Sequence, residues 1–240
     1  MQFTTTRIIV SMVSVFQEPY LQLGVQASDV MEQFYRAIQT PDRIPLRDLI
    51  TSGGTSYADL RLTLNTFRGG GRIDITPGAL IVELKDVISA AGHAEVAKEH
   101  LQLCEDTARK ALKGLEISER LMRAGMWVSC EGGRPAMEAF LEEKGNAALK
   151  LEQPPYSALK KEFTLQFSGL DAARATKISL ALERSSVADA DLFVQFEHTR
   201  YGSPTLATTV TEQFEAAETE LQALMGHMGL EPKKDDAAQP

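Results

Sequence analysis

Residues 60–65 read Leu60-Arg61-Leu62-Thr63-Leu64-Asn65, an alternation of apolar and polar side chains with a period of two. Successive side chains of a β-strand point to opposite faces of a sheet, so this alternation predicts a half-buried strand over 59–67. The pattern returns 101 residues later, where Phe163-Thr164-Leu165-Gln166 matches Leu62-Thr63-Leu64-Asn65. The two matching strands predict an internal repeat.

The sequence around the first of these strands predicts one strand, one helix, several strands and a second helix. Isoleucine and valine are abundant in the first strand, and apolar residues recur at helical spacing in both helices. Serines, prolines and glycines mark where these elements begin and end. The predicted bounds are a strand at 7–16, a helix capped by Ser28 and ended by Pro41 and Pro45, strands at 59–67, 72–75 and 79–87, and a helix at 90–112 capped by Ser89.

The second half of the chain predicts the same order. Its last helix has the clearest pattern, since apolar residues recur every three or four positions from Val210 to Met228. Residues 116–124 fit either a backward extension of a strand at 126–130 or a helical turn. The other predicted elements are a helix opened by Pro135, strands at 161–167, 177–182 and 191–196, and a final helix opened by Pro204, which we expect to be the longest.

A doubled strand–helix–strands–helix unit resembles the pseudo-symmetric helix-grip folds, in which a curved antiparallel sheet packs against a long C-terminal helix. The TATA-binding protein fold is the tandem example, and START-like ligand-binding domains are a single-unit relative. The resemblance lies in the order of elements alone, so it implies a fold and no function. We therefore predict an α+β fold with a first unit at 1–114, a second unit at 115–230 and a disordered tail at 231–240.

Composition narrows the class of protein. The 240 residues include 33 acidic and 25 basic side chains, a formal charge of −8, with 43% hydrophobic and 24% charged residues. These values are typical of globular proteins and exclude disordered and collagen-like chains. The two cysteines, Cys104 and Cys130, are too few for a disulfide framework and favour a reducing compartment. Ile8–Phe16 is too short to span a bilayer and lacks the features of a secretion signal, so we expect a soluble, cytoplasmic protein.

The distribution of charge disfavours nucleic acid as a partner. Residues 1–120 carry 13 basic and 15 acidic side chains, whereas residues 121–240 carry 12 and 18. An acidic surface repels phosphate backbones. The predicted strands also lack the paired phenylalanines and flanking basic residues with which the TATA-binding protein binds DNA.

No metal, cofactor or catalytic motif is predicted. His93 and His100 are two helical turns apart, roughly 10 Å, which is too far to share a metal ion, and we interpret them as solvated. His100 precedes Cys104 by four residues, but no third group is visible to orient the imidazole, so Cys104 is interpreted as a small buried apolar residue. The polar stretch 197–201, Glu-His-Thr-Arg-Tyr, is predicted to leave a strand end and enter a loop.

Glycine-rich segments next to arginines are the best candidates for binding an anion. Gly132-Gly133-Arg134 precedes a predicted helix, where backbone N–H groups point outward. The clearest basic cluster is in the first half, and it is our candidate site for an anion or a partner. This candidate site comprises Arg61, Arg68, Gly69, Gly70, Gly71 and Arg72. The alternative for both glycine-rich segments is an ordinary connection that needs positive φ.

Three functional hypotheses follow. The first is a non-enzymatic module that binds a protein partner or assembles with itself, because catalytic motifs are lacking and the predicted sheet and helix surfaces are large. The second is a carrier of a hydrophobic small molecule in a cavity between the sheet and the long helix. The third is an enzyme acting on an anionic substrate at Arg68–Arg72. Whether the helices fill the sheet face or leave it hollow distinguishes the first two hypotheses.

Overall fold

Ten strands form one sheet in the computed structural model, which describes residues 1–38, 49–53, 56–66, 70–85, 93–149, 164–202 and 206–233. Every pair of neighbouring strands is antiparallel except the short β10, which pairs in parallel with β1. The strands are β1 (Gln2–Phe16), β2 (Leu49–Ser52), β3 (Arg61–Thr66), β4 (Gly71–Ile75), β5 (Ala79–Lys85), β6 (Ile117–Cys130), β7 (Leu165–Asp171), β8 (Thr176–Arg184), β9 (Leu192–Tyr201) and β10 (Glu231–Pro232).

Two long strands, β1 and β6, lie side by side at the centre of the sheet. The full order is β2-β3-β4-β5-β1-β6-β9-β8-β7. The register between β1 and β6 shifts twice, between Thr5 and Arg7 and between Val15 and Phe16. Between these shifts, Ile8, Val10, Met12 and Ser14 of β1 point to one face of the sheet.

Four helices pack on that same face, which we call the helix face. They are α1 (Leu23–Ile38), α2 (His93–Ala111), α3 (Gly133–Leu149) and α4 (Val210–His227). Each helix buries apolar side chains that recur at helical spacing, because only one stripe of a helix can contact a sheet. No helix of the described residues packs on the opposite face, which carries residues such as Val13 and Leu121.

Buried side chains form two clusters on the helix face. The first lies between α1, α2 and strands β1, β3, β4 and β5, and includes Phe34, Leu64 and Leu101. The second lies between α3, α4 and strands β6, β8 and β9, and includes Phe140 and Val194. The mixed α+β architecture with an antiparallel sheet is therefore confirmed.

Several predicted elements are confirmed, and some boundaries were wrong. The alternating stretch forms β3, the helix near residue 100 buries its predicted stripe, and the strand at 126–130 extends backward to Ile117. Residues 116–124 are therefore not helical. The helix predicted to be capped by Ser28 begins five residues earlier, at Leu23, so Ser28 lies inside α1. The final helix begins at Val210, capped by Thr209, and its 18 residues are one fewer than the 19 of α2.

Other predictions concern residues outside the described part of the chain. Pro41, Pro45, Ser89 and Pro204 are among them, as is most of the predicted tail. The first two residues assigned to that tail form β10, and the backbone N–H of Lys233 donates to the carbonyl of Phe3. Among the described residues, no helix is both long and apolar enough to cross a membrane.

Candidate functional site

A pocket of about 530 Å³ lies between the helix face of the sheet and helices α2 and α4. Its floor is formed by β1, β6 and β9, its roof by α4 and one side by the first turns of α2. Most of its lining is hydrocarbon. The described lining residues are Phe3, Thr5, Ile8, Val10, Ala94, Ala97, Met122, Arg123, Ala124, Met126, Phe196, Phe214, Ala217, Glu218, Leu221, Gln222, Met225 and Pro232.

Contacts between α2 and α4 border one end of the pocket. Lys98 of α2 contacts Glu215 of α4 at 2.9 Å, and Gln102 accepts a hydrogen bond of 3.2 Å from the backbone N–H of Thr211. Residue numbers rise along α2 as they fall along α4, so the helices run antiparallel. The pocket lies beyond these contacts, between the N-terminal turns of α2 and the C-terminal half of α4.

Small side chains leave the space open. Ala97 on α2, Ala217 on α4 and Ala124 on β6 all line the pocket from different sides. A larger side chain at any of these positions would fill part of the volume. The periodicity of the sequence placed Ala97 and Ala217 in buried stripes, but it gave no sign that the two stripes face a common space.

A buried ion pair closes the pocket at the end where the helices meet. Arg120 of β6 is fully buried and donates to both carboxylate oxygens of Glu105 on α2, at 2.7 and 2.5 Å. Ser14 of β1 also donates to Glu105, at 2.8 Å. A guanidinium and a carboxylate can be buried only when such hydrogen bonds satisfy them. This pair therefore ties α2 to the two central strands.

The polar contacts continue from Arg120 to α4. Arg120 donates to the side-chain oxygen of Gln213 at 3.2 Å, and the amide nitrogen of Gln213 donates to the backbone carbonyl of His198 at 3.1 Å. The ring of His198 lies 3.5 Å from a carboxylate oxygen of Glu220 on α4. These contacts fix the N-terminal half of α4 on the sheet.

The protonation of these groups follows from burial and neighbouring charges. Burial opposes ionisation of Glu105, but the hydrogen bonds and charge of Arg120 outweigh it and hold the pKa of Glu105 below its usual value. Burial, followed by the charge of Arg200, lowers the pKa of His198 to about 4. Burial raises the pKa of Glu220. At neutral pH the Glu105–Arg120 pair is therefore ionised and His198 is neutral.

Sequence reasoning raised a cavity between the sheet and the long helix only as an alternative hypothesis, and it predicted neither the lining of the pocket nor this network. One signal was present, because Arg120 occupies an inward position of β6 together with Met122, Ala124 and Met126. A charged residue among inward apolar residues indicates a buried polar contact. Its partners lie 15 and 93 residues away and could not be identified from spacing.

The predicted arginine–glycine site is only partly covered by the described residues. Arg68 and Gly69 lie outside them. Arg61 is exposed at the start of β3, and Gly70 and Gly71 lead into β4, where the carbonyl of Gly70 accepts from the backbone of Lys85. Arg72 pairs across the strands with Asn65, four residues along β3 from Arg61.

Arg72 already has an acidic neighbour. Its Nε donates to the carboxylate of the buried Asp74 at 2.9 Å, and Asp74 also accepts from Thr63. Arg61 and Arg72 lie on the opposite face of the sheet, away from the helices. Anion binding at Arg61 and 68–72 remains a prediction.

The other polar candidates of the sequence take different positions. His100 is buried, so its interpretation as a solvated residue was wrong. Cys104 is buried as predicted, and burial raises its pKa, which disfavours the nucleophilic thiolate. Residues 197–201 lie within β9 and not in a loop, with His198 and Arg200 on the helix face and Glu197 on the other. The described residues contain no cluster of His, Cys, Asp and Glu suited to a metal ion.

Gly132 and Gly133 both have positive φ, of 85° and 65°, in the turn between β6 and α3. A Cβ atom on Gly132 would lie 2.8 Å from that of Ala136. The shape of the turn therefore accounts for glycine at these positions.

In comparisons of sequence, the chain matches no protein-family model and no curated protein.

Proposed function

We propose that this protein binds an apolar small molecule in the pocket between the sheet and helices α2 and α4. The carrying observation is a pocket of about 530 Å³ with a predominantly hydrocarbon lining. Ligand sites generally have volumes of ~300–1,000 Å³ and combine apolar walls with a few polar groups. Here the polar side chains are Thr5, Glu218 and Gln222, whereas the side chain of Arg123 pairs with Glu197 on the opposite face of the sheet.

The energetics favour occupation by hydrocarbon. Protein interiors are close-packed, and an unfilled apolar cavity loses dispersion contacts on every wall. Each Å² of apolar ligand surface removed from water contributes roughly 25 cal/mol. A ligand that fills the pocket gains both the dispersion contacts and the hydrophobic contribution. The Arg120–Glu105 contact meanwhile keeps α2 anchored to β6.

The test is titration of the protein with N-phenyl-1-naphthylamine, an apolar probe that fluoresces when it leaves water. We expect saturable binding to the unmodified chain and a loss of at least tenfold in affinity for Ala217→Phe, whose ring would occupy the pocket. Ala223→Phe is the matched control, because Ala223 is exposed on the same helix and does not line the pocket. Equal binding by both variants, or none by the unmodified chain, would contradict the proposal.

We also propose that the two halves of the chain are related units, each with a topology that resembles a helix-grip fold. Each half begins with a long strand, β1 or β6, and these two strands are adjacent and antiparallel at the centre of the sheet. Each is followed by a helix, further strands and a final helix, with all helices on one face. These relations support two related units at 1–114 and 115–230.

A second candidate function, self-assembly, is favoured by the opposite face of the sheet. One row of side chains crosses five strands there, reading Arg72, Glu83, Ser11, Arg123 and Glu197 from β4 to β9. A two-fold axis along β1 through Ser11 would place Arg72 over Glu197 of a second copy and Glu83 over its Arg123. The row is thus electrostatically complementary to itself.

An apolar row lies beside the charged one. Ile81, Val13 and Leu121 are cross-strand neighbours on β5, β1 and β6, and each is half-buried. The same two-fold axis would stack Val13 on its own copy. Association of two copies would remove this hydrocarbon from water.

The oligomeric state, measured by light scattering after size-exclusion chromatography, tests this second function. We expect a dimer for the unmodified chain and a monomer for Val13→Glu, because the two introduced carboxylates, one from each copy, would then face each other across the axis. Ala223→Glu, at an exposed position of α4 on the other side of the sheet, is the control and should remain dimeric. A monomeric unmodified chain would exclude assembly through this face.

A further inference from the structure

We infer that the pocket accepts a single straight hydrocarbon chain, inserted tail first, with its polar head left at the mouth beside Gln222. This inference rests on the proposed binding function and specifies the ligand class. Three features of the pocket carry it: its length, its closed end and the distribution of its polar groups.

The pocket is elongated along the central strands. Its floor on β1 runs from Val10 to Phe3, seven residues at about 3.3 Å each, which gives a length of roughly 20 Å. Across this direction the floor is formed mainly by β1 and its neighbour β6, whose backbones are about 4.8 Å apart. A long, narrow volume of this kind fits an extended alkyl chain better than a compact polycyclic cage.

One end of the pocket is closed to solvent. Arg120, Glu105 and Gln213, all buried, occupy the next layer beyond Met122, and the Lys98–Glu215 ion pair joins the helices above them. The side chains of Arg120, Glu105 and Gln213 already hydrogen-bond to one another or to the backbone. A polar head group placed at this end would lose its hydrogen bonds to water, and the protein would offer no hydrogen bonds to replace them.

The other end combines exposure with polarity. Gln222 and Pro232 line this end of the pocket and are exposed to solvent, and Pro232 is paired with Phe3 of β1. By contrast, the lining beside the closed end consists of Val10, Met122, Phe196 and Phe214. The head of an amphiphile is therefore placed at the exposed end, and its tail extends toward Met122.

A series of straight-chain alcohols, from octanol to octadecanol, tests this arrangement by displacement of N-phenyl-1-naphthylamine. Affinity should rise roughly fourfold with each methylene that becomes buried, and it should stop rising once the chain fills the pocket. Adamantan-1-ol, which has as many carbons as decanol, should bind at least tenfold more weakly than decanol.

Two substitutions locate the closed end. Ala124→Leu and Ala97→Leu narrow the pocket near Met122 from the sheet and from α2, and either should move the plateau to shorter alcohols while octanol binds unchanged. Gln222→Leu at the mouth should leave the plateau where it is. Thermal unfolding of each variant, read by circular dichroism, establishes that it folds before its binding is interpreted.

The outcomes separate the two proposals. If neither the probe nor any alcohol binds the unmodified chain, the proposed binding function fails. If alcohols bind but affinity is independent of chain length, adamantan-1-ol binds as well as decanol, or the inner substitutions leave the plateau unmoved, the tail-first arrangement is wrong and the binding function stands.

Discussion

Arg120 of β6 and Glu105 of α2 form a two-hydrogen-bond ion pair inside the protein, with exposed side-chain fractions of 0% and 3%. The pair lies where α2, α4 and the two central strands meet, and it connects to Ser14 and Gln213. Removing one member of such a pair leaves the other charge buried without compensation. The stability of the helix–sheet contact should therefore depend on both residues.

We expect Glu105→Ala to lower the free energy of unfolding by about 3–5 kcal/mol, because Arg120 would stay buried without a counter-ion. Urea unfolding at neutral pH measures this change. Glu95→Ala is the control on the same helix, since Glu95 pairs with Lys98 at an exposed position where such contacts contribute about 1 kcal/mol or less. Similar losses of unfolding free energy for the two variants would show that the buried ion pair contributes no more to stability than the exposed one.

Stability should fall as the pH is lowered from about 6.5 to about 4. Burial lowers the pKa of His198, and of His100, from 6.5 to about 4, so in this range the unfolded chain binds protons that the folded chain does not. The free energy of unfolding is therefore greatest above pH 6.5 and declines by at most about 1.4 kcal/mol per pH unit for each histidine.

Urea unfolding at a series of pH values measures this slope. His198→Gln should make it shallower, because one of the two histidines no longer takes up a proton on unfolding. His227→Gln, at the exposed C-terminal end of α4, is the matched control and should leave the slope unchanged. A slope that His198→Gln does not alter would assign the pH dependence to other groups.

Filling the pocket should cost little stability. Ala217→Leu adds hydrocarbon to open space on α4, so we expect the free energy of unfolding to change by less than about 0.5 kcal/mol or to increase. Ala108→Leu adds the same atoms on α2 where Ala108 is fully buried in the first core cluster, and overpacking there should cost about 1–3 kcal/mol. Equal losses for the two alanines, measured in urea, would mean that no usable space faces Ala217.

The N-terminus of α4 depends on a capping box. The hydroxyl of Thr209 accepts from the backbone N–H of Glu212, and the carboxylate of Glu212 accepts from the backbone N–H of Thr209. Thr209→Ala should lower the free energy of unfolding by about 1 kcal/mol. Thermal unfolding measures this change. Thr219→Ala, at an exposed position within α4, should change the free energy of unfolding by much less in the same experiment.

Local patterns were sufficient to predict most of the secondary structure. The alternation at 60–65 became β3, and the stripe from Ala97 to Leu112 became the buried side of α2. Both patterns arise from the periodicity of side chains along a single element, which the sequence records directly. Boundaries were less predictable: α1 begins before Ser28, and β9 continues through residues 197–201, because pairing with β6 and packing against the sheet outweigh the local polar residues.

From the sequence followed a globular α+β chain, the order of its long strands and helices, and which side of each helix is apolar, whereas the short strands β2 and β10 were not predicted. Tertiary structure alone decided what those apolar sides contact. Ala97 and Ala217 are ordinary buried positions in the sequence, and they line one pocket with Ala124 only because α2 and α4 pack over β1 and β6. The partners of Arg120 were likewise set by the packing of distant elements. Side-chain periodicity is a local property, whereas the spacing between helices depends on every contact across the interface, and no single stretch of sequence contains that information.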